Sequence, residues 1–242
     1  MIFDIYEYCN QGGRSYNEDA TGYKVVGDNG LFVVADGLGG HSYGEVASRC
    51  VVDTFIGGFV GDTEDTEGFL AEKVSEANDN ILALQRERNT VLKSTVVSLI
   101  IKDRKATCAH VGDSRLYFFK DGELNFFTED HSVAYKKYKA GEISRDDICR
   151  DEDQSRLIRS LGGPDHNEPV IYTFPEELHD MDAFFLCSDG AWEFLRDEEI
   201  AIDLLKSGNA RSWCEKLLVR MMERIEGGND NLSLMTIIVR DD

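Results

Sequence analysis

Basic residues are scarce in this chain of 242 residues: 26 Lys+Arg stand against 46 Asp+Glu, a formal net charge of -20. A general nucleic-acid binder needs a net basic face to displace counterions from phosphate, so the charge argues against that function class. Docking on anionic membrane surfaces is disfavoured for the same reason. Long apolar runs are missing too, and none approaches the roughly 20 residues that cross a bilayer. The start, Met1-Ile2-Phe3-Asp4-Ile5-Tyr6-Glu7, lacks the basic and apolar stretches of a signal peptide. There is no C-x-x-C, and the six cysteines lie at least 27 residues apart, which removes zinc-ribbon and thioredoxin readings. The expectation is a cytoplasmic protein with reduced thiols, Cys108 and Cys187 acting as small buried hydrophobes. Only Pro164, Pro169 and Pro175 interrupt the chain, and no Gly/Ser-rich linker or repeat divides it. One domain over residues 1–242 is therefore expected, and a monomer is the default.

What is present is core-forming. Hydrophobic residues make up 42% of the chain, enough for a sizeable core. Short β-branched apolar runs predict strands at Leu31–Ala35, Thr95–Ile101, Ala106–Val111, Arg115–Phe119, Ala183–Cys187 and Leu234–Val239. Helical spacing predicts helices at Gly44–Phe55, Phe69–Gln85, Ser132–Lys139, Glu198–Lys206 and Ala210–Ile225. Lys102-Asp103-Arg104-Lys105 and Lys120-Asp121-Gly122-Glu123 read as turns. Strands joined by short turns imply antiparallel meanders, so the class is α+β. The acid-rich tract Gly141–Ser155 reads as a mobile surface excursion with its acids solvated.

Acids recur at strand ends and beside glycine turns. The places are Asn17-Glu18-Asp19, Asp36-Gly37, Gly112-Asp113-Ser114, Ser188-Asp189-Gly190 and Asn229-Asp230-Asn231. One Asp-Gly is an ordinary turn; several at the ends of apolar strands are harder to dismiss. Converging, partly buried carboxylates repel unless a cation compensates them, which implies a hard divalent ion, Mg²⁺ or Mn²⁺. Two such ions explain the number of acids and would generate hydroxide and orient a phosphate ester. Arg14, four residues before Glu18, is the candidate fork for phosphate oxygens. No P-loop is present, and Gly37 to Ser42 misses the last glycine of a dinucleotide motif. Ser114 reads as a brace of its strand turn, and Trp192 and Trp213 as core anchors.

In order along the chain stand Arg14-x-x-Asn17-Glu18-Asp19-Ala20, Val34-Ala35-Asp36-Gly37-Leu38-Gly39-Gly40-His41 and Gly44-Glu45-Val46-Ala47-Ser48. His110-Val111-Gly112-Asp113-Ser114-Arg115, Thr128-x-Asp130-His131-Ser132, Leu157 to Gly162, Ser188-Asp189-Gly190 and Asp230-Asn231 follow. This set resembles the PPM (PP2C-type) metal-dependent serine/threonine phosphatases, especially their bacterial branch, over residues 14 to 231. The resemblance implies two packed antiparallel sheets flanked by helices. It implies hydrolysis of phosphoserine or phosphothreonine in proteins by a water shared between two metals, without a covalent intermediate. Residue by residue, Asp36 would bridge the ions, Gly37 and Glu18 would serve one, and Asp189 and Asp230 the other. Asp113, with Asp189, would form a weaker third site. Asp19 would hold water at the metals, Arg14 would bind the substrate phosphate, and Asn231 would orient Asp230. Phosphorylated proteins, and the Ser/Thr kinase that makes them, are the implied partners.

Two positions depart from the pattern. Leu38 stands where eukaryotic members carry a histidine that serves as candidate general acid, and His41 follows three residues later. Glu193 stands where some members place Asp. A pseudophosphatase that only binds phosphoproteins, and a two-metal esterase for small molecules, are the competing readings. The overall charge further predicts a preference for neutral or basic residues beside the phosphorylated one.

Overall fold

The computed structural model describes residues 1–39, 43–163 and 168–241. Two antiparallel sheets pack face to face. The strands are β1 (Ile2–Asn10), β2 (Asp19–Val26), β3 (Asn29–Gly39), β4 (Leu92–Ser94), β5 (Val96–Lys102), β6 (Lys105–Val111), β7 (Arg115–Lys120), β8 (Glu123–Phe127), β9 (Val170–Thr173), β10 (Ala183–Cys187) and β11 (Leu232–Arg240). The helices are α1 (Gly44–Gly58), α2 (Thr66–Arg88), α3 (Val133–Lys139), α4 (Asp189–Trp192), α5 (Asp197–Leu205) and α6 (Ala210–Arg224). One sheet runs β1-β11-β10-β7-β8 and the other β2-β3-β5-β6-β9, with β4 paired to the end of β3.

Three apolar layers hold this together. Phe32, Val34, Leu99, Phe184 and Ile237 fill the space between the sheets. Their chain neighbours point the other way. Leu31, Val33 and Ala35 meet Val51, Phe55, Leu70 and Ile81 of α1 and α2. Phe185 and Leu234 meet Trp213 and Leu217 of α6. Strands covered on both faces read as unbroken apolar runs, which is why the central strands were visible in the sequence. Each fully buried Leu or Phe contributes roughly 1.5–3 kcal/mol of transfer free energy.

The structure corrects several expectations. Thr95–Ile101, Ala106–Val111 and Arg115–Phe119 are not one meander: β5 and β6 form a hairpin, while β7 crosses to the other sheet and pairs β10 and β8. Gly112-Asp113-Ser114 is therefore a crossover between sheets, and Gly112 takes the φ of 107° that the bend needs. Both expected turns are two-residue hairpins with positive φ, at Asp103 and Arg104 and at Asp121 and Gly122. The tract 141–155 is tethered rather than free. Arg145–Arg150 forms a 3₁₀ turn with Ile148 buried. Asp151 and Asp153 both pair with Lys137, and Arg145 with Asp197. Among the described residues, no helix is long and apolar enough to cross a membrane.

Candidate metal centre

Five segments deliver acids to one end of the sandwich. β3 continues past its apolar stretch, so Asp36 lies within the strand rather than beyond it, directly opposite Asp19 on β2. Its N–H and its carbonyl are both held by the 94–95 segment. The Asp36 N–H donates to Thr95 Oγ1 at 2.9 Å. Its carbonyl accepts from Thr95 N at 2.8 Å and from Ser94 Oγ at 3.0 Å. Ser114 braces its turn as expected, through a 2.7 Å hydroxyl contact with Thr95. One hydroxyl pair thus ties the Asp36 strand to the Asp113 crossover. Asp189 opens α4 directly after β10, and Asp230 lies just before β11.

Close backbone approach explains the glycine after Asp36. A Cβ on Gly37 would sit 2.0 Å from the carbonyl oxygen of Gly44. The Gly37 N–H donates to the Glu18 carbonyl at 3.0 Å. The Glu18 carboxylate accepts from the Gly44 N–H, at the start of α1, at 3.0 Å. Glu18 and Gly37 are therefore neighbours through backbone contacts that no side chain at position 37 would permit.

Electrostatics shows how tightly the acids crowd. Burial raises Asp36 well above the carboxylate range, and Asp189, Asp19, Asp113 and Asp230 add repulsion. Burial raises Asp113 likewise, with Asp189 and Asp130 adding to it. Burial also lifts Asp19 to about 7 against hydrogen bonds from Ser188 and Ser233. Asp189 is pushed up to about 6, by burial and then by Asp230, although a hydrogen bond from Asp36 favours its charged form. Glu193 rises to about 8, by burial and the proximity of Asp189. Glu18 is raised by burial as well. Among the described residues, no three of these side chains already converge in ligating geometry. Their chemistry nevertheless fits a hard divalent cation: all the donors are oxygens, they are crowded, and positive charge is what the cluster lacks.

The nearby cation is Arg14. Its fork lies on Asp230, with Nε to Oδ1 at 3.0 Å and Nη2 to Oδ2 at 2.7 Å. Asn231 works differently from the expectation. Its side chain accepts from the Glu18 N–H at 2.8 Å and donates to the carbonyls of Gln11 and Tyr16. Only its backbone N–H reaches Asp230 Oδ1. The Asn231 side chain thus fixes the loop that carries Arg14 and Glu18. Asp19 is buried and accepts from Ser188 Oγ at 2.8 Å. Leu38 is partly exposed and offers no proton. His41 lies outside the described residues.

Four supporting contacts were not read from the sequence. Trp192 Nε1–H donates to the Asp113 carbonyl at 2.9 Å. The Arg115 guanidinium carbon lies 3.5 Å from the centroid of the Trp192 ring. Arg115 also grips Asp130 in a buried bidentate pair at 2.8 and 2.6 Å. A charge at the start of the apolar strand β7 was the available signal for a buried ion pair. Gln154, from the 141–155 tract, favours the charged form of Asp189. Its Nε2 is buried without a partner of normal hydrogen-bond geometry. Nothing in the sequence pointed to it.

A two-sheet sandwich that gathers acids at one end beside an arginine is suited to holding divalent ions against a phosphate group. A family model for protein phosphatase 2C matches residues 10–225, and the chain belongs to that family. It is 32% identical over 233 residues to the serine/threonine phosphatase stp of Listeria welshimeri, covering 93% of this chain and 90% of that one. It is 27% identical over 235 residues to the protein phosphatase PhpP of Streptococcus pneumoniae, covering 95% and 94%. Among solved structures, the catalytic domain of the serine/threonine phosphatase PstP, in complex with 2 manganese ions, matches with a TM-score of 0.84. That match is at 26% identity and covers 99% of each chain. Stp1 of Staphylococcus aureus shares the fold at a TM-score of 0.89 and 23% identity, covering 100% of this chain and 96% of that one.

Proposed function

We infer that this protein is a Mn²⁺- or Mg²⁺-dependent protein serine/threonine phosphatase. The observation that carries the reading is the crowding of acids from separate segments around Asp36: Asp19 directly across the β2–β3 ladder, and Asp113, Asp189 and Asp230 close enough to repel it, with the Arg14 fork on Asp230. The bound ions supply Lewis acidity and lower the pKa of water at the site. Asp36 would serve both ions, Glu18 and the Gly37 carbonyl one of them, and Asp189 and Asp230 the other. Asp113, with Asp189, would be the carboxylate for a weaker third. Asp19, across the ladder from Asp36, would orient water at the site, and Arg14 would take the substrate phosphate in its fork. Asn231 keeps Glu18 and Arg14 in place. All the carboxylates of the pattern are present, which favours turnover over a binding-only role.

The substrates are phosphorylated proteins, made by a Ser/Thr kinase. The protein acts as a monomer in the cytoplasm, where its six free thiols stay reduced, and binds no nucleic acid. Residues 1–242 work as one domain, supported by the pairing of β1 with β11 from opposite ends of the chain. Phosphate release from a phosphothreonine peptide tests the activity. Release is expected in Mn²⁺ or Mg²⁺ and none in EDTA, and absence of release with either ion overturns the reading.

A further inference from the structure

The two sheets each end in an open edge on the same side of the molecule. β8 closes the five-stranded sheet and β9 the six-stranded one, and among the described residues no strand pairs with the outer side of either. Phe126 of β8 and Tyr172 of β9 stack across the gap, with centroids 4.5 Å apart and planes at 12°. Beside this stack opens a cavity of ≈ 820 Å³ that runs under α3 and the 158–159 segment. Tyr172, Val170 and Ile158 are exposed there. A free strand edge beside an apolar hollow is what an extended peptide needs: backbone partners and a pocket for a side chain.

The charge of the cavity opposes that of the chain. Its two acids are already neutralised, Glu129 by Lys139 and Asp130 by Arg115. Lys136 and Arg159 also line it. Among the described residues neither makes an ion pair, so the cavity carries unpaired positive charge in a protein of net charge -20. His131 adds a donor. Its Nδ1 accepts from the Gly112 N–H at 3.1 Å, which leaves its proton on Nε2. Gly112 precedes Asp113, so His131 links the cavity wall to the acid cluster.

We propose that this cavity docks an extended segment of phosphoprotein substrates, remote from the phosphorylated residue, that carries an apolar or aromatic side chain next to acidic residues. The docking rests on the phosphatase reading for its purpose, but its binding is measurable without it. Acidic residues beside the phosphorylated residue meet the catalytic acids, whereas acidic residues in the docked segment meet Lys136 and Arg159.

The test uses two phosphothreonine peptides with identical neutral residues around the phosphothreonine. They differ in a distal Phe-Asp-Asp or Ala-Asn-Asn segment, placed at several spacings. With the Mn²⁺-loaded protein, the Phe-Asp-Asp series is expected to show about tenfold higher kcat/KM, through KM. Lys136→Glu, on the exposed face of α3, and Tyr172→Ala should each erase the difference and leave p-nitrophenyl phosphate turnover unchanged. Fluorescence anisotropy of the unphosphorylated Phe-Asp-Asp peptide gives the second readout, with binding to wild type and weaker binding to Lys136→Glu. Equal kcat/KM for the two series together with no anisotropy change overturns the proposal. A rise in KM for p-nitrophenyl phosphate in the variants also overturns it, since the cavity then serves a small phosphoester. Peptide binding without hydrolysis of any substrate sinks the phosphatase reading and leaves the docking site standing.

Discussion

Arg14 and Asp230 form a two-pronged pair that ties the loop before β2 to the loop before β11. Their side chains are 57% and 38% exposed, so the pair adds less than about 1 kcal/mol to stability. Its value lies in position, because it holds a guanidinium fork at the rim of the acid cluster. Arg14→Ala should therefore leave the melting temperature nearly unchanged while lowering kcat/KM for a phosphopeptide about 100-fold. Arg14→Lys should recover little, since an ammonium cannot span two phosphate oxygens. Thermal melts run beside steady-state kinetics check this; a large drop in melting temperature with normal kinetics would count against it.

Asp36 and Asp189 repel each other inside the cluster: after burial, Asp189 is the first charge that raises Asp36. Asp36→Asn and Asp189→Asn each remove a charge that the metals need and that the metal-free fold tolerates poorly. Activity in saturating Mn²⁺ should fall at least about 1000-fold. In EDTA the same variants should be more stable than wild type, by about 1–3 kcal/mol, because repulsion is relieved. Denaturant unfolding in EDTA and in Mn²⁺ separates the two effects. Variants that lose stability in EDTA would contradict the crowding seen around Asp36.

Legibility in the sequence followed burial. Leu31–Ala35 and Ala183–Cys187 were readable because both faces of these strands are covered. β1, β2, β8 and β9 escaped notice because they are edges or carry polar residues: Ile2–Asn10 includes Asp4, Glu7 and Asn10, and Val170–Thr173 is four residues long. The acids at Asp36, Asp113, Asp189 and Asp230 stood out because each adjoins a glycine or a turn at the end of an apolar run. What joins them did not stand out. Thr95 with Ser114, and Arg115 with Trp192, are contacts between segments far apart in the chain, and periodicity carries no information about those. The sheet change at Gly112-Asp113-Ser114 was hidden for a local reason: a three-residue link reads as a hairpin until pairing partners are known.

Arg115 and Asp130 test the hidden support. Both side chains are buried, and Arg115 also donates to Tyr117 Oη at 3.0 Å. Removing one partner leaves a buried charge alone. Arg115→Ala should cost about 3–5 kcal/mol. Arg115→Lys keeps the charge but loses the fork and the flat face against Trp192, and should cost less while loosening the Asp113 turn. The readout for that turn is the Mn²⁺ concentration dependence of activity, which should shift to higher concentration. Wild-type stability in Arg115→Ala would show that the pair contributes nothing.

The acid cluster also sets a pH dependence, and its sign follows from the direction of the shifts. Asp19 at about 7, Asp189 at about 6 and Glu193 at about 8 all lie above their ordinary values of 3.8, 3.8 and 4.5. Burial is the first cause in each. The folded metal-free protein therefore binds more protons than the unfolded chain from roughly pH 4 to pH 8, so its stability falls as pH rises across that window. The slope is roughly 1 kcal/mol per pH unit for each proton retained. Divalent ions compete for the same oxygens, so Mn²⁺ should displace those protons and bind more tightly as pH rises. In EDTA the melting temperature should decline from pH 5 to pH 9, and in Mn²⁺ the decline should flatten or reverse. Calorimetry in buffers of different ionisation enthalpy should register proton release on Mn²⁺ binding near pH 6 and little above pH 9. A melting temperature that rises with pH in EDTA would mean that these carboxylates are ionised and compensated in the metal-free fold, against the crowding around Asp36.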